Sequence, residues 1–308
     1  QTSVREDMVT ALVSKFGPHY DQIILIGETA FIKLVLELGL RQSIDWKSLL
    51  IHVIVGEEPL AENARKYLES ILDIDIKKPE KGLIGSSMGV AELGLNLFFE
   101  APQLIGIRRF LHESPLIRKM VLGASATTVP LLFTYDPQRI FVEILEGDEL
   151  AISVLNTRCP IPLLRYRTGD HGFVPNPKLV AKYFADAAKD SPLPAGEFPL
   201  IAIEGRGESV TVGGKSVYPE EVKEGLYHDP DLIPLITANF RLYPGEKQGL
   251  VRIQLTPGVP AEPALNKKFA KAIAKYTHAP LEVRCEPYES FRSGMILDYE
   301  RKFAYIEK

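Results

Sequence analysis

The sequence predicts an α/β chain that passes into an α+β segment, and three features of it carry that expectation. Continuous apolar runs of strand length at residues 22–27 and 49–55 are each followed by residues at helical spacing. From Pro130 the pattern changes to short β runs, with 141–144 and 150–154 flanking Glu146-Gly147-Asp148 as an apparent hairpin. From about Glu208 a glycine-turned hairpin opens a β-α-β order. A chain of 308 residues, 45% hydrophobic and 25% charged, can bury a large core and accommodate two domains.

Taken in order, residues 4–16 read as an amphipathic helix through Val4, Met8, Leu12 and Val13. Residues 22–27 are a strand, 29–40 a helix, 49–55 a strand and 60–72 a helix. Apolar strands buried on both faces and alternating with helices imply a doubly wound sheet, whose ligands sit at the C-terminal ends of the strands. Gly27, Gly56 and Gly85 are expected at such ends. The run 95–104, with Leu97, Phe98 and Phe99, is more apolar than a surface loop and suits either core or an acyl pocket. Residues 173–200 carry several prolines around a helical 179–189 and read as an insertion over the site. Residues 201–204 are a strand, 209–217 a hairpin turned by Gly213-Gly214, and 219–227 a helix started by Pro219. Strands at 232–242, 250–255 and 281–285 and a helix at 263–276 complete the chain.

Three turns carry chemistry. Met88-Gly89-Val90-Ala91-Glu92-Leu93-Gly94 comes first. In Leu164-Arg165-Tyr166-Arg167-Thr168-Gly169-Asp170, Leu163 and Leu164 read as the buried end of a strand and Gly169 as the turn. Asp170 would then stand at the strand end, where a carboxylate can accept two hydrogen bonds from a sugar diol; a capped turn with surface arginines is the other reading. Gly205-Arg206-Gly207-Glu208, followed by Val217-Tyr218-Pro219-Glu220-Glu221-Val222, is the third.

In this order the turns resemble the adenylate-forming superfamily of acyl-CoA synthetases, luciferases and peptide-synthetase adenylation domains, and its phenylacetate-CoA ligase branch above all. The resemblance runs from about Asp21 to the C-terminus. It leaves unmatched the family's first half, and the sequence holds no Ser/Thr/Gly-rich phosphate loop. It implies that residues 1–207 are the later part of a large adenylation domain, with an α/β layer at 1–125 and a small β-barrel-like subdomain at 126–207. Residues 208–308 would then be a mobile, ferredoxin-like C-terminal domain.

The resemblance also implies roles. Gly56-Glu57-Glu58-Pro59 would border the adenine, and a helix started by Pro59 explains the same residues. Met88 and Gly89 stand where the family stacks an aromatic on adenine, and Ala91 where a threonine contacts the α-phosphate, so Ser86 or Ser87 would have to supply that hydroxyl. Glu92 would hold magnesium, as a carboxylate suits that hard cation; a solvated helix glutamate is the alternative. Asp170 would hold the ribose hydroxyls and Arg206 the ribose or phosphate, a task suited to the fixed fork of guanidinium donors. The hinge would be Glu208 or Ser209. Ser293-Gly294-Met295 replaces a Ser-Gly-Lys; Lys302, on the same face if 295–306 is helical, would then neutralise the reacting carboxylate, and a helix-surface lysine is the other reading.

The implied reaction is ATP-dependent adenylation of an aryl or acyl acid and transfer of the acyl group to a thiol, coenzyme A, with magnesium. A catalytically degenerate nucleotide-binding module with a regulatory role, suggested by Met88, Ala91 and Met295, stands beside it, as does acyl transfer to a protein or amine. A net charge of −4 provides no basic field for nucleic acid, and no apolar run approaches the roughly 20 residues of a membrane helix. Cys159 and Cys285 form no disulfide framework or zinc site, and the histidines, His171 among them, lack ligand spacing. A cytoplasmic setting and a homodimer are compatible with this reading. The chain opens on Gln1, which fits a natural beginning further upstream.

Overall fold

The computed structural model describes residues 5–123, 126–156, 163–176, 178, 180, 199–291 and 304–307. Helix α1 (Glu6–Phe16) leads into β1 (Ile23–Gly27), α2 (Thr29–Arg41), β2 (Ile51–Val55), α3 (Glu62–Leu72) and β3 (Gly82–Val90). The three strands are parallel and lie side by side in sequence order, with Ile24 beside His52 and His52 beside Leu83. Right-handed crossovers between strands laid down in one direction put both helices on the same face. Leu25, Ile51, Val53, Val55 and Ile84 are buried on that face, whereas Ile24 and Ile26 on the other are 52% and 70% exposed. Among the described residues, β1 and β2 are therefore covered on one face only, which corrects the doubly wound expectation. Trp46 fills the core beside α2, its indole N–H donating to the Leu36 carbonyl at 2.9 Å. Gly39 is required there, since a Cβ would run into the indole ring.

The sheet continues, now antiparallel, through β4 (Gly94–Phe99), β5 (Leu131–Thr134), β6 (Ile140–Ile144), β7 (Glu149–Val154), β8 (Tyr166–Phe173) and β9 (Leu200–Gly205). All nine strands form one sheet in the order β1-β2-β3-β4-β5-β9-β8-β7-β6. The expected β6–β7 hairpin is present, but it ends an open mixed sheet instead of belonging to a separate barrel. Between β4 and β5 lie α4 (Pro102–Glu113) and α5 (Pro115–Leu122), two helices for which the apolar run at 95–104 gave no warning.

Residues 210–217 form the predicted hairpin of β10 (Val210–Val212) and β11 (Lys215–Val217), with Gly213 and Gly214 both at positive φ. Helix α6 (Pro219–Leu226), β12 (Ile236–Tyr243), β13 (Gly249–Leu255), α7 (Pro263–Ile273) and β14 (Leu281–Glu286) follow. β12 pairs antiparallel with β13, and β13 pairs directly in parallel with β14. A ferredoxin-like split β-α-β would place another strand between the last two, so the described residues form a simpler β-α-β. Residues 304–307 pair alongside β12, Leu242 N–H donating to the Tyr305 carbonyl at 2.8 Å. Ile306 is thus extended, not helical. Lys302, the Ser293-Gly294-Met295 turn, Cys159, Pro160-Ile161-Pro162 and the helix expected at 179–189 fall outside the described residues.

Apolar and polar contacts cross residue 208, where the resemblance implies that a mobile domain begins. One buried apolar cluster contains Leu36, Val55 and Leu68 from the first segment and Val222, Phe240 and Phe269 from the second. Lys33, fully buried in α2, donates to Glu37 at 2.9 Å and to the Ile236 carbonyl at 2.7 Å.

Candidate functional site

A cleft of about 480 Å³ opens between the ends of β8 and β9, the loop before β5, and α6. Its walls include Pro59 to Ala61, Thr127 to Leu131, His171, Arg206, Tyr218 and Lys223. Arg206 is exposed at the rim, just past Gly205, whose φ of 79° ends β9. Asp170 does not line the cleft, but His171 does, and His171 pairs with Gly205 across β8 and β9. Asp170 on β8 and Arg206 just past the end of β9 therefore each lie one step beyond that pair.

The Asp170 turn differs from its expected form. Tyr166 to Asp170 begin a strand that continues to Phe173, so Asp170 is not at a strand end. Gly169 takes φ 76°, a left-handed conformation glycine adopts without a Cβ penalty. A register shift against β7 absorbs it and the strand goes on pairing. Leu164 is 70% exposed, so the leucines do not end a buried strand. Arg165 and Arg167 pair with Glu143 and Glu149 on the β6–β7 hairpin and take structural parts.

The first turn also differs. β3 runs through Met88 and Gly89 to Val90, so Gly85 lies inside a strand. Gly89 is required because a Cβ would strike the Leu95 and Gly94 backbone. Met88 packs against the apolar cluster of the antiparallel strands. The Ser86 hydroxyl donates to the Val55 carbonyl and Ser87 bonds to Asn96, so both hydroxyls have structural partners. Glu92 sits in the tight turn between β3 and β4, not on a helix. Its carboxylate accepts from the Tyr166 hydroxyl, which holds that phenol above its ordinary pKa, and the Arg206 charge acts on the same hydroxyl in the opposite sense. Glu92, Tyr166 and Arg206 form one neighbourhood.

Helix α3 begins at Glu62, so Pro59 is not its first residue. Glu57 takes φ 70° in the turn after β2. Beside it, burial and then the charges of Glu58 and Glu57 push the Glu28 carboxyl up to about 7. A folded-state pKa above the unfolded value stabilises below the unfolded pKa and loses that stabilisation as pH rises through the folded one. Glu28→Gln should therefore raise the melting temperature at pH 8, by about 1–2 kcal/mol of stability after allowance for partial exposure. It should change little at pH 4, below the unfolded value of 4.5; melts showing the same shift at both pH values would refute the assignment.

Behind the cleft lies a charge network for which the sequence reading assigned no role. Arg65 donates to Glu62 at 3.0 Å, to both oxygens of Glu100 at 2.9 and 2.8 Å, and to the Ile84 carbonyl. Arg108 donates to the carbonyls of Leu60 and Pro130, tying α4 to both walls. Arg109 bridges Glu62 and Glu69. Burial disfavours the Arg65 charge, but Glu100 and Glu62 outweigh it and raise its pKa. Glu62, Arg65 and Glu69 share one face of α3 at i, i+3 and i+7, and their ionic partners outside the helix, Glu100, Arg108 and Arg109, follow more than 30 residues later. Among the described residues, no group of three or more His, Cys, Asp or Glu side chains could hold a metal ion, and no helix is long and apolar enough to cross a membrane.

No family model matches the sequence, and neither does any curated protein. Solved structures do match. A 2-hydroxyisobutyryl-CoA ligase in the postadenylation state superposes with a TM-score of 0.63 at 12% identity, covering 97% of this chain and 57% of that one. The anthranilate CoA ligase AuaEII in complex with anthranoyl-AMP gives 0.53 at 14% identity, over 91% of this chain and 48% of its own. McyG A-PCP complexed with phenylalanyl-adenylate gives 0.53 at 10% identity, over 92% and 49%. The likeness shows the fold alone: this chain is built like these three structures and spans 57% of the length of the first of them.

Proposed function

We propose that the chain is the later part of an ATP-dependent acid ligase that forms an acyl-adenylate and passes the acyl group to a thiol, coenzyme A. One observation carries the reading. Over 97% of its length the chain follows the fold of a ligase solved in its postadenylation state, and the matched motif residue Arg206 stands at the rim of the cleft. The substrate would be an aryl or acyl acid, as in the phenylacetate-CoA ligase branch.

In this reading Asp170 orients the ribose and Arg206 meets the phosphate, positioning and positive charge being what phosphoryl chemistry needs most. The backbone of Gly56 and Glu57 would border the adenine beside Met88 and Gly89. A single carboxylate, Glu92, suits magnesium, which is usually held by one or two carboxylates together with substrate phosphates. When bound, the ion would neutralise charge on those phosphates. Lys302 would supply the charge that Met295 cannot, and Glu208 the hinge about which residues 208–308 turn between half-reactions. The test is release of AMP by the full-length protein on addition of ATP, coenzyme A and members of a panel of acids. Release that depends on both acid and coenzyme A is expected; ADP in place of AMP, or nucleotide release regardless of acid, would reject the proposal.

The second reading, a degenerate nucleotide-binding module, is favoured by one observation: Met88 is packed into the apolar cluster and the Ser86 and Ser87 hydroxyls are engaged elsewhere. It predicts ATP binding without AMP release for any acid.

A further inference from the structure

Helix α6 meets the first segment through two consecutive residues. The Lys223 ammonium lies 2.7 Å from a Glu58 oxygen and 4.0 Å from the centre of the Tyr305 ring. The same oxygen accepts from the Tyr305 hydroxyl at 2.7 Å, and the other accepts the Thr29 N–H at 3.1 Å. One carboxylate in the turn after β2 thus joins the start of α2, helix α6 and the segment 304–307. Lys223 and Glu58 side chains are 9% and 12% exposed. Next to them, Glu224 accepts the N–H groups of Glu62 and Asn63 at 2.8 and 3.1 Å, capping α3 with a carboxylate from another element. The Asn63 amide returns the contact, donating to the Glu224 carbonyl at 2.9 Å and to the Tyr276 hydroxyl at 2.7 Å. Lys223 and Glu224 also line the cleft, as do Pro59 to Ala61.

A buried ion pair adds little net stability, because desolvation offsets most of its attraction. Its value lies elsewhere. If the later segment swings away, both charges regain water together, so the pair itself adds little to the cost of opening. If one partner is removed, the other is left buried and unpaired, and the docked arrangement alone suffers. A pair of this kind discriminates between two arrangements without locking either.

We propose that Lys223 and Glu58 form a latch that holds residues 208–308 against the cleft, making Lys223 a positioning residue for the first half-reaction. The proposal rests on the adenylate-forming reading only for its consequence in catalysis. Two structural reporters are independent of it: exchange of the Glu62 and Asn63 amides, and proteolytic cleavage within 205–209.

In the full-length protein, Lys223→Met should accelerate exchange of those amides by about 10²-fold or more, the size of an unpaired buried charge, and should admit cleavage at 205–209. Glu58→Gln/Lys223→Met, which removes both charges, should recover protection to within about tenfold of wild type. Acid-dependent pyrophosphate exchange should fall and recover in step. Recovery in the double variant separates a latch from simple loss of folding, as does unchanged exchange in the core of β12 to β14. Unaltered amide protection in Lys223→Met, or a double variant no better protected than the single one, would overturn the latch. If protection follows the prediction while no acid supports pyrophosphate exchange in the wild type, the latch stands and the ligase reading falls.

Discussion

Replacing Arg65 by methionine should cost the fold about 3–5 kcal/mol, the loss seen when one partner of a buried ionic cluster is removed. Arg65 is fully buried between Glu62 and Glu100. Glu100 also accepts the Ser86 N–H at 2.8 Å, so its carboxylate is held against β3, just past the end of β4. Methionine matches the volume but leaves two carboxylates unpaired except through Arg108 and Arg109. Because α3 and α4 both anchor to this network, and Arg108 and the residues just before α3 line the cleft, the loss should appear as one cooperative destabilisation. Urea unfolding measures it; a cost under about 1 kcal/mol would mean that the carboxylates reach solvent and that the network is ornamental.

The second large effect is expected at Arg206. Arg206→Ala in the full-length protein should slow acid-dependent pyrophosphate exchange about 10–100-fold, the equivalent of one charge-assisted hydrogen bond. Thermal stability should be unchanged, since the side chain is exposed at the cleft rim. Arg206→Lys should recover only part of the rate, because an ammonium lacks the planar fork. A variant exchanging at the wild-type rate would remove Arg206 from the site.

Strands β1 and β2 were legible as runs of β-branched residues, and the helices after them from their spacing. The face they leave bare was not, because Ile24 and Ile26 read as core in any apolar run; only the order in which the strands are laid down decides which face the helices cover. The Asp170 turn was legible as a motif but misplaced as structure. Gly169 signals a backbone that departs from the ordinary, and both a strand-ending turn and a bulge satisfy that signal. Glu58 was marked as a neighbour of the adenine from its turn, yet its ionic partner lies 165 residues later on α6. Long-range charge pairs of this kind, including Arg65 with Glu100, have no local pattern. Each member looks like an ordinary solvated charge until the fold brings the elements together.

The most direct measurement of the central claim is isotopic exchange between pyrophosphate and ATP by the full-length protein across aryl and acyl acids, without coenzyme A. Adenylation is reversible and precedes the thiol, so the account predicts exchange that requires an acid and is weakened by Asp170→Ala and Arg206→Ala. No exchange with any acid, in a protein that still binds ATP, would contradict it and leave the degenerate nucleotide-binding module in its place.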